Sequence, residues 1–309
     1  MKLAMVFPGQ GSQSVGMLKA YAGLPEIQAV RTQAAEALGA DFVRLLDDGP
    51  AAALNQTINT QPAMVTAGYA AYRAWRALGG PAPELAAGHS LGEYTALTAA
   101  GALAFADALP LVHFRAQAMQ EAVPQGEGAM AAVLNLDDEH VVAACAEAGG
   151  VVQAVNFNAP GQVVIAGEKT AVERAIEKCK ARGAKRAMPL PVSAPFHSTL
   201  MQPAAERLKG HIQSVRMAPP QFAVVNNVDV RVEREASRIK DALVRQAASP
   251  VRWVETIRQM VESGATHIIE CGPGRVLAGM TKRIAPQVQS LTLHDRASLE
   301  AALQAIKGT

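Results

Sequence analysis

Short apolar runs alternate along the chain with longer stretches in which apolar residues recur at helical spacing, and Gly or Pro marks most of the joints. That rhythm predicts strands buried on both faces and separated by amphipathic helices, hence an α/β fold with helices on both sides of a sheet. In the first part, residues 3–7 and 85–87 read as strands, and residues 26–38, 61–78, 93–100 and 107–121 as helices.

Between residues 126 and 190 the rhythm changes to strand, helix, strand, strand, helix, strand, at 129–134, 138–147, 151–156, 162–167, 171–182 and 185–190. The middle strands are joined by Asn158-Ala159-Pro160-Gly161, residues suited to a tight turn. A βαββαβ order is that of the split ferredoxin-like unit. The expectation is therefore a small subdomain at 126–190 inserted into a large domain made of 1–125 and 191–309. The large-domain rhythm resumes with strands at 223–226 and 266–270 and helices at 239–248, 253–262 and 275–284. Clefts form at such junctions, so the active site is expected where insertion meets sheet.

Composition sharpens this picture. Half of the 309 residues are apolar but only 4% are aromatic, and alanine is abundant, which favours helices packed closely around a sheet over a β-sandwich. Cys145, Cys179 and Cys271 are widely separated and match no metal-ligand spacing, which points to a reduced, cytoplasmic setting and no metal. The apolar run at the N-terminus stops at Pro8-Gly9, too short and too poor in basic residues for a signal peptide. No stretch approaches the roughly 18 apolar residues of a membrane helix. A net charge of +2 gives no general field for nucleic acid.

Gly88-His89-Ser90-Leu91-Gly92 fits G-x-S-x-G, with a short apolar strand before it and a helical run after it. In that context the glycines allow a sharp strand-to-helix turn that holds the serine hydroxyl clear of the sheet, at a helix N-terminus that favours developing negative charge. A nucleophilic serine needs a base. His267 lies in an apolar strand and reads as a satisfied core histidine, His113 falls within a helix, and His140 and His211 lie among solvated charges. His89 adjoins Ser90 and shapes the turn. His294 sits where an ordinary α/β hydrolase places its base, and His197 lies in Ser193-Ala194-Pro195-Phe196-His197-Ser198, just after the insertion. Residue patterns alone leave His197 and His294 level, and leave Arg115 as a solvated helix residue.

Several uncommon strings carry more than a generic motif: Phe7-Pro8-Gly9-Gln10-Gly11-Ser12-Gln13, Gly88-His89-Ser90-Leu91-Gly92-Glu93, Arg115 in a helix, Asn158-Ala159-Pro160-Gly161-Gln162, Pro195-Phe196-His197-Ser198 and Gly272-Pro273-Gly274. In that order, end to end, the chain resembles the malonyl-CoA:acyl carrier protein transacylases of bacterial fatty-acid synthesis. The resemblance implies a hydrolase-like large domain with a ferredoxin-like insertion. It implies Ser90 as nucleophile and His197 as base, the imidazole being oriented by a main-chain carbonyl near Gln246 rather than by a carboxylate. It also implies backbone N–H groups of Gln10 and Leu91 as an oxyanion hole, Arg115 as the partner of the malonyl carboxylate, and Phe196 as a malonyl-selecting residue that a branched acyl group would meet. Coenzyme A enters as a thioester substrate, so no cofactor is implied; the partners are malonyl-CoA and an acyl carrier protein, and the default is a monomer.

Three competing readings remain. A serine hydrolase shares the elbow, a stand-alone malonyl transferase of a polyketide synthase or malonate decarboxylase shares the whole site, and a silent docking protein shares only the fold. Gly9-Gln10-Gly11 is not a dinucleotide or phosphate loop, since the third glycine and the G-K-S/T are missing. Two basic clusters, Lys178, Lys180, Arg182, Lys185 and Arg186, and Lys282-Arg283, are read as solvated surface with a possible second use in steering an acidic carrier.

Overall fold

Five consecutive apolar residues form strand β1 (Leu3–Phe7), buried along its whole length. The computed structural model, which describes residues 1–192 and 194–308, sets β1 at the centre of a parallel sheet. Its order is β7 (Ala223–Val225), β2 (Leu85–Gly88), β1, β8 (His267–Cys271), β9 (Gln289–Leu293). Successive side chains of β1 serve opposite faces, as a period of two requires. Leu3, Met5 and Phe7 join the core beneath α1 (Pro25–Leu38), α4 (Thr57–Ala77), α5 (Gly92–Ala99) and α6 (Phe105–Glu121). Ala4 and Val6 face α11 (Trp253–Glu262) and α12 (Val276–Ile284) through Trp253, Ile257, Leu277 and Met280.

The 126–190 region forms a separate antiparallel sheet in the order β4 (Val152–Ala159), β5 (Gln162–Glu168), β3 (Gly128–Leu134), β6 (Arg186–Pro189). Helices α7 (Asp138–Ala148) and α8 (Lys169–Ala181) cover one face, where Val133, Val163 and Ile165 meet Val141, Val172 and Ile176. The alternate residues Met130, Val164 and Ala166 point the other way, onto Met119, Phe196 and Met201 of the main body. Backbone bonds tie the antiparallel sheet to the segment between α10 (Ala236–Gln246) and α11: Val251 N–H donates to Val155 O at 2.8 Å and Phe157 N–H to Val251 O at 3.0 Å. Arg283 adds a bond to Pro160 O at 2.6 Å.

Strand β4 runs through Ala159, two residues into the expected turn, because register shifts after Ala154 and Phe157 bend it toward residue 251; only Pro160-Gly161 is left to turn. The helix expected at 239–248 is α10, displaced by two or three residues at each end, while other elements escaped the sequence reading: α2 (Ala40–Asp48), α3 (Ala51–Leu54), α9 (Gln202–Ile212), the half-polar edge strand β9, and α13 (Arg296–Lys307). The last carried a readable signal, since Asp295 and Ser298 form a capping box. Of the basic residues, Lys180 is paired with Glu177, Arg182 with Glu147, and Arg283 with the turn after β4. No helix among the described residues is long and apolar enough to cross a membrane.

The turn from β2 into α5 depends on two glycines. A Cβ on Gly88 would lie 1.8 Å from the Gly92 carbonyl carbon, and one on Gly92 would lie 2.1 Å from Phe7 O. Neither neighbour is a flexible side chain, so the central sheet would have to shift. Gly92→Ala is expected to cost about 3 kcal/mol or more, whereas Gly210→Ala in α9, where the added methyl meets nothing within 4 Å, is expected to gain up to about 1 kcal/mol. Urea midpoints of the two variants check this, and equal stability would contradict it.

Candidate active site

At the elbow Ser90 adopts φ 52°, in the left-handed region that a non-glycine residue occupies only when its surroundings enforce it. Asn227, just past β7, supplies that constraint. Its Oδ1 accepts from Ser90 N–H at 2.8 Å and its Nδ2 donates to Gly88 O at 2.8 Å. The preceding His89 is tied to the insertion, its Nε2 lying 2.7 Å from Asn158 Oδ1 and its ring 5.3 Å from that of Trp253. Burial lowers its proton affinity.

The structure separates the two histidines that residue patterns left level. His197, buried and also at positive φ, lies with Nε2 2.7 Å from Ser90 Oγ. Its Nδ1 lies 2.9 Å from Gln246 O at the end of α10. A carbonyl only accepts, so Nδ1 carries the hydrogen and Nε2 presents its lone pair to the serine hydroxyl. Burial, and then the nearby Arg115 charge, pushes the His197 pKa down to about 3. His294 instead accepts from Arg275 Nη2 at 2.8 Å and faces Thr292, away from the serine. Ser193, at the start of the His197 segment, lies outside the described residues.

Arg115 is not the solvated helix residue its position suggests. Only 1% of it is exposed. Nη1 donates to Gln61 Oε1 at 2.7 Å, and Nη2 donates to Gln246 Oε1 at 2.9 Å and to Ser90 Oγ at 3.3 Å. The guanidinium also lies over the Tyr94 ring, 5.4 Å from its centroid. Burial lowers its pKa, opposed by Tyr94 and Glu93. Among the described residues no carboxylate forms an ion pair with it, and its Nε has no partner.

These groups line one cavity of about 130 Å³. Gln10 and Leu91 border it beside Ser90, and among the described residues neither backbone N–H donates to a protein acceptor. Met119, Met130, Leu190 and Phe196 form an apolar wall, the last three from the insertion and the segment that follows it. Gln61, Glu93 and Asn227, which the sequence reading gave no role, complete the polar frame; Glu93 closes the elbow string, but nothing in the local sequence marks Gln61 or Asn227, because each acts through a contact far along the chain.

Two other histidine readings change, and that of His113 holds. His267 is buried but half satisfied, with Nδ1 2.9 Å from Thr266 Oγ1 and Nε2 unpartnered among the described residues. His211 stacks on Phe114 at 3.9 Å between ring centroids rather than lying among solvated charges. His113 is half-buried on α6, as its helix implies. Cys271 is buried, with Sγ 3.7 Å from Gly68 O.

Comparison with known proteins gives the chain a lineage. The family model for the acyl transferase domain matches residues 4–295. The malonyl CoA-acyl carrier protein transacylase of Escherichia coli K12 is 52% identical, covering 98% of this chain and 99% of its own. The crystal structure of an acyl-carrier-protein S-malonyltransferase from Burkholderia pseudomallei 1710b superposes with a TM-score of 0.97 at 60% identity, covering 98% of this chain and 100% of its own. A malonyl-transacylase solved in complex with its type II PKS acyl-carrier protein superposes with a TM-score of 0.97 at 50% identity, covering 99% and 100%. A match of this extent on both sequence and fold leaves one assignment: the chain belongs to the acyl transferase family, among the malonyl CoA-acyl carrier protein transacylases.

Proposed function

We propose that this acyltransferase carries a malonyl group from malonyl-CoA to the phosphopantetheine thiol of an acyl carrier protein through an ester on Ser90, supplying fatty-acid synthesis. The observation that carries this reading is Arg115, a buried cation without a carboxylate partner among the described residues, whose Nη2 lies 3.3 Å from Ser90 Oγ. A planar guanidinium fits a carboxylate and is always charged, so an acyl group ending in an acid is the ligand that completes it.

Ser90 Oγ attacks the thioester carbonyl while His197 Nε2 takes its proton. The negative oxygen of the tetrahedral adduct is held by the N–H groups of Gln10 and Leu91, each such donor being worth about 10²–10³ in rate. When the carbon–sulfur bond breaks, His197 returns the proton to the departing coenzyme A thiol, leaving malonyl-Ser90. The carrier's thiol then gives its proton to His197 and attacks the ester, and Ser90 Oγ leaves with that proton. The apolar wall supports transfer over hydrolysis, since water at the ester competes with the carrier's thiol. Phe196 in that wall supports an unbranched acyl group. Coenzyme A is substrate throughout.

The two sheets support a hydrolase-like large domain, residues 1–125 and 191–309, with a ferredoxin-like subdomain at 126–190, the antiparallel order of the second sheet being the ferredoxin one. A cytoplasmic monomer is the matching setting. The relative bound to a type II PKS carrier supports a second context, a polyketide carrier in place of the fatty-acid one.

Intact mass after incubation with malonyl-CoA tests the reading. A single malonyl increment is expected on the wild type, lost on addition of a carrier protein and absent in Ser90→Ala; free malonate with no transfer to the carrier would make the protein a hydrolase. The pH dependence follows from His197. A base works only unprotonated, so activity falls as pH drops through its pKa. With that pKa at about 3 rather than the ordinary 6.5, the acylation rate is expected to hold from about pH 8 to below about pH 6. A stopped-flow profile with an acid limb centred near about 6.5 would contradict it.

A further inference from the structure

Glu93 stands on the first turn of α5, three residues after Ser90, and is 3% exposed. No step of the transfer uses it. Its Oε2 accepts from Gln246 Nε2 at 2.8 Å and from Asn227 N–H at 3.0 Å. Gln246 Nε2 has a second acceptor, Ser90 O at 3.0 Å. Both hydrogens of the Gln246 amide are thus consumed by atoms that only accept, and its Oε1 is left facing Arg115 Nη2 at 2.9 Å. With the amide turned over, its oxygen would face the carboxylate and the Ser90 carbonyl, and its NH₂ would face the guanidinium. Both ends would then be repulsive inside a site with little water to screen them.

We propose that Glu93 is a specificity-determining positioning residue: by fixing the amide of Gln246 it points that side chain's oxygen at Arg115 and so sets where the guanidinium meets the acyl carboxylate. This rests on the carboxylate reading of Arg115. The same residue holds Asn227, which clamps the elbow, so one buried carboxylate aligns the cation and the nucleophile with each other. Burial raises the Glu93 pKa to about 7 against the lowering by Asn227, Gln246 and Arg115. The acceptor oxygen, common to both protonation states, is what the arrangement requires.

Equilibrium binding of malonyl-CoA and acetyl-CoA, measured by calorimetry in a Ser90→Ala background where no acyl transfer occurs, tests the proposal. The reference variant is expected to prefer malonyl-CoA, and Arg115→Ala to abolish the preference; no preference in the reference would refute the carboxylate reading and the proposal together. Given the preference, Glu93→Gln keeps an acceptor oxygen for both donors and is expected to retain it within about threefold. Glu93→Leu frees the Gln246 amide, and Gln246→Leu removes it while leaving the backbone carbonyl that holds His197. Each is expected to cut the preference about tenfold or more with acetyl-CoA binding little changed. Should Glu93→Leu not fold, Gln246→Leu and Glu93→Gln decide alone. An undiminished preference in a folded Glu93→Leu or in Gln246→Leu, or a tenfold loss in Glu93→Gln, would overturn the proposal while leaving the carboxylate reading intact.

Discussion

A guanidinium enclosed by protein and given no counter-ion among the described residues is the constraint around which this site is organised. Removing a charge from water costs several kcal/mol unless it is paired and hydrogen-bonded. Arg115 is given only part of that compensation: oxygens of Gln61, Gln246 and Ser90, and the face of Tyr94. Neutral partners hold the cation in place without neutralising it. The nearest acid, Glu93, is kept one amide away by Gln246, so the field of Arg115 stays directed into the cavity. The same field helps hold His197 unprotonated, as the base role proposed for it requires.

The two-sheet architecture serves this constraint. The parallel sheet supplies the elbow and the anchoring Asn227; α6 supplies the cation and α10 the amide and carbonyl that orient it and the imidazole. The antiparallel sheet lends one face to α7 and α8 and the other to the cavity wall. Because β4 is hydrogen-bonded at residue 251, just after α10, the antiparallel sheet and the carbonyl beside His197 Nδ1 are fixed to each other through a few residues of backbone.

Much of this was legible in the sequence, for reasons that differ by element. Strand β1 announces itself as a continuous apolar run because both of its faces are buried, and the β3–β6 region by its order of short apolar runs and periodic helices. Helices α5 and α6 follow from the glycine-bounded elbow and a long periodic run. β9 and α9 escaped because a half-exposed edge strand and a short surface helix tolerate many residues. At the site, Ser90 was found from its turn, since only glycines fit at 88 and 92. The choice between His197 and His294 depends on which loop reaches the elbow, and that is tertiary information. Arg115 in α6 has the local pattern of an exposed residue; its burial comes from α4 and α10 closing over it through Gln61 and Gln246. Gln61 and Asn227 gave no local signal at all, Gln246 entered only through the resemblance and only for its carbonyl, and Glu93 only as the last residue of the elbow string.

The central claim, that the unpaired Arg115 selects an acid-bearing acyl group, is tested most directly by kcat/KM for malonyl-CoA and for acetyl-CoA in the wild type and in Arg115→Ala. The account predicts a malonyl loss of about 10² or more, with acetyl transfer retained or raised. An equal loss for both substrates would make Arg115 a structural support of the serine and would contradict it.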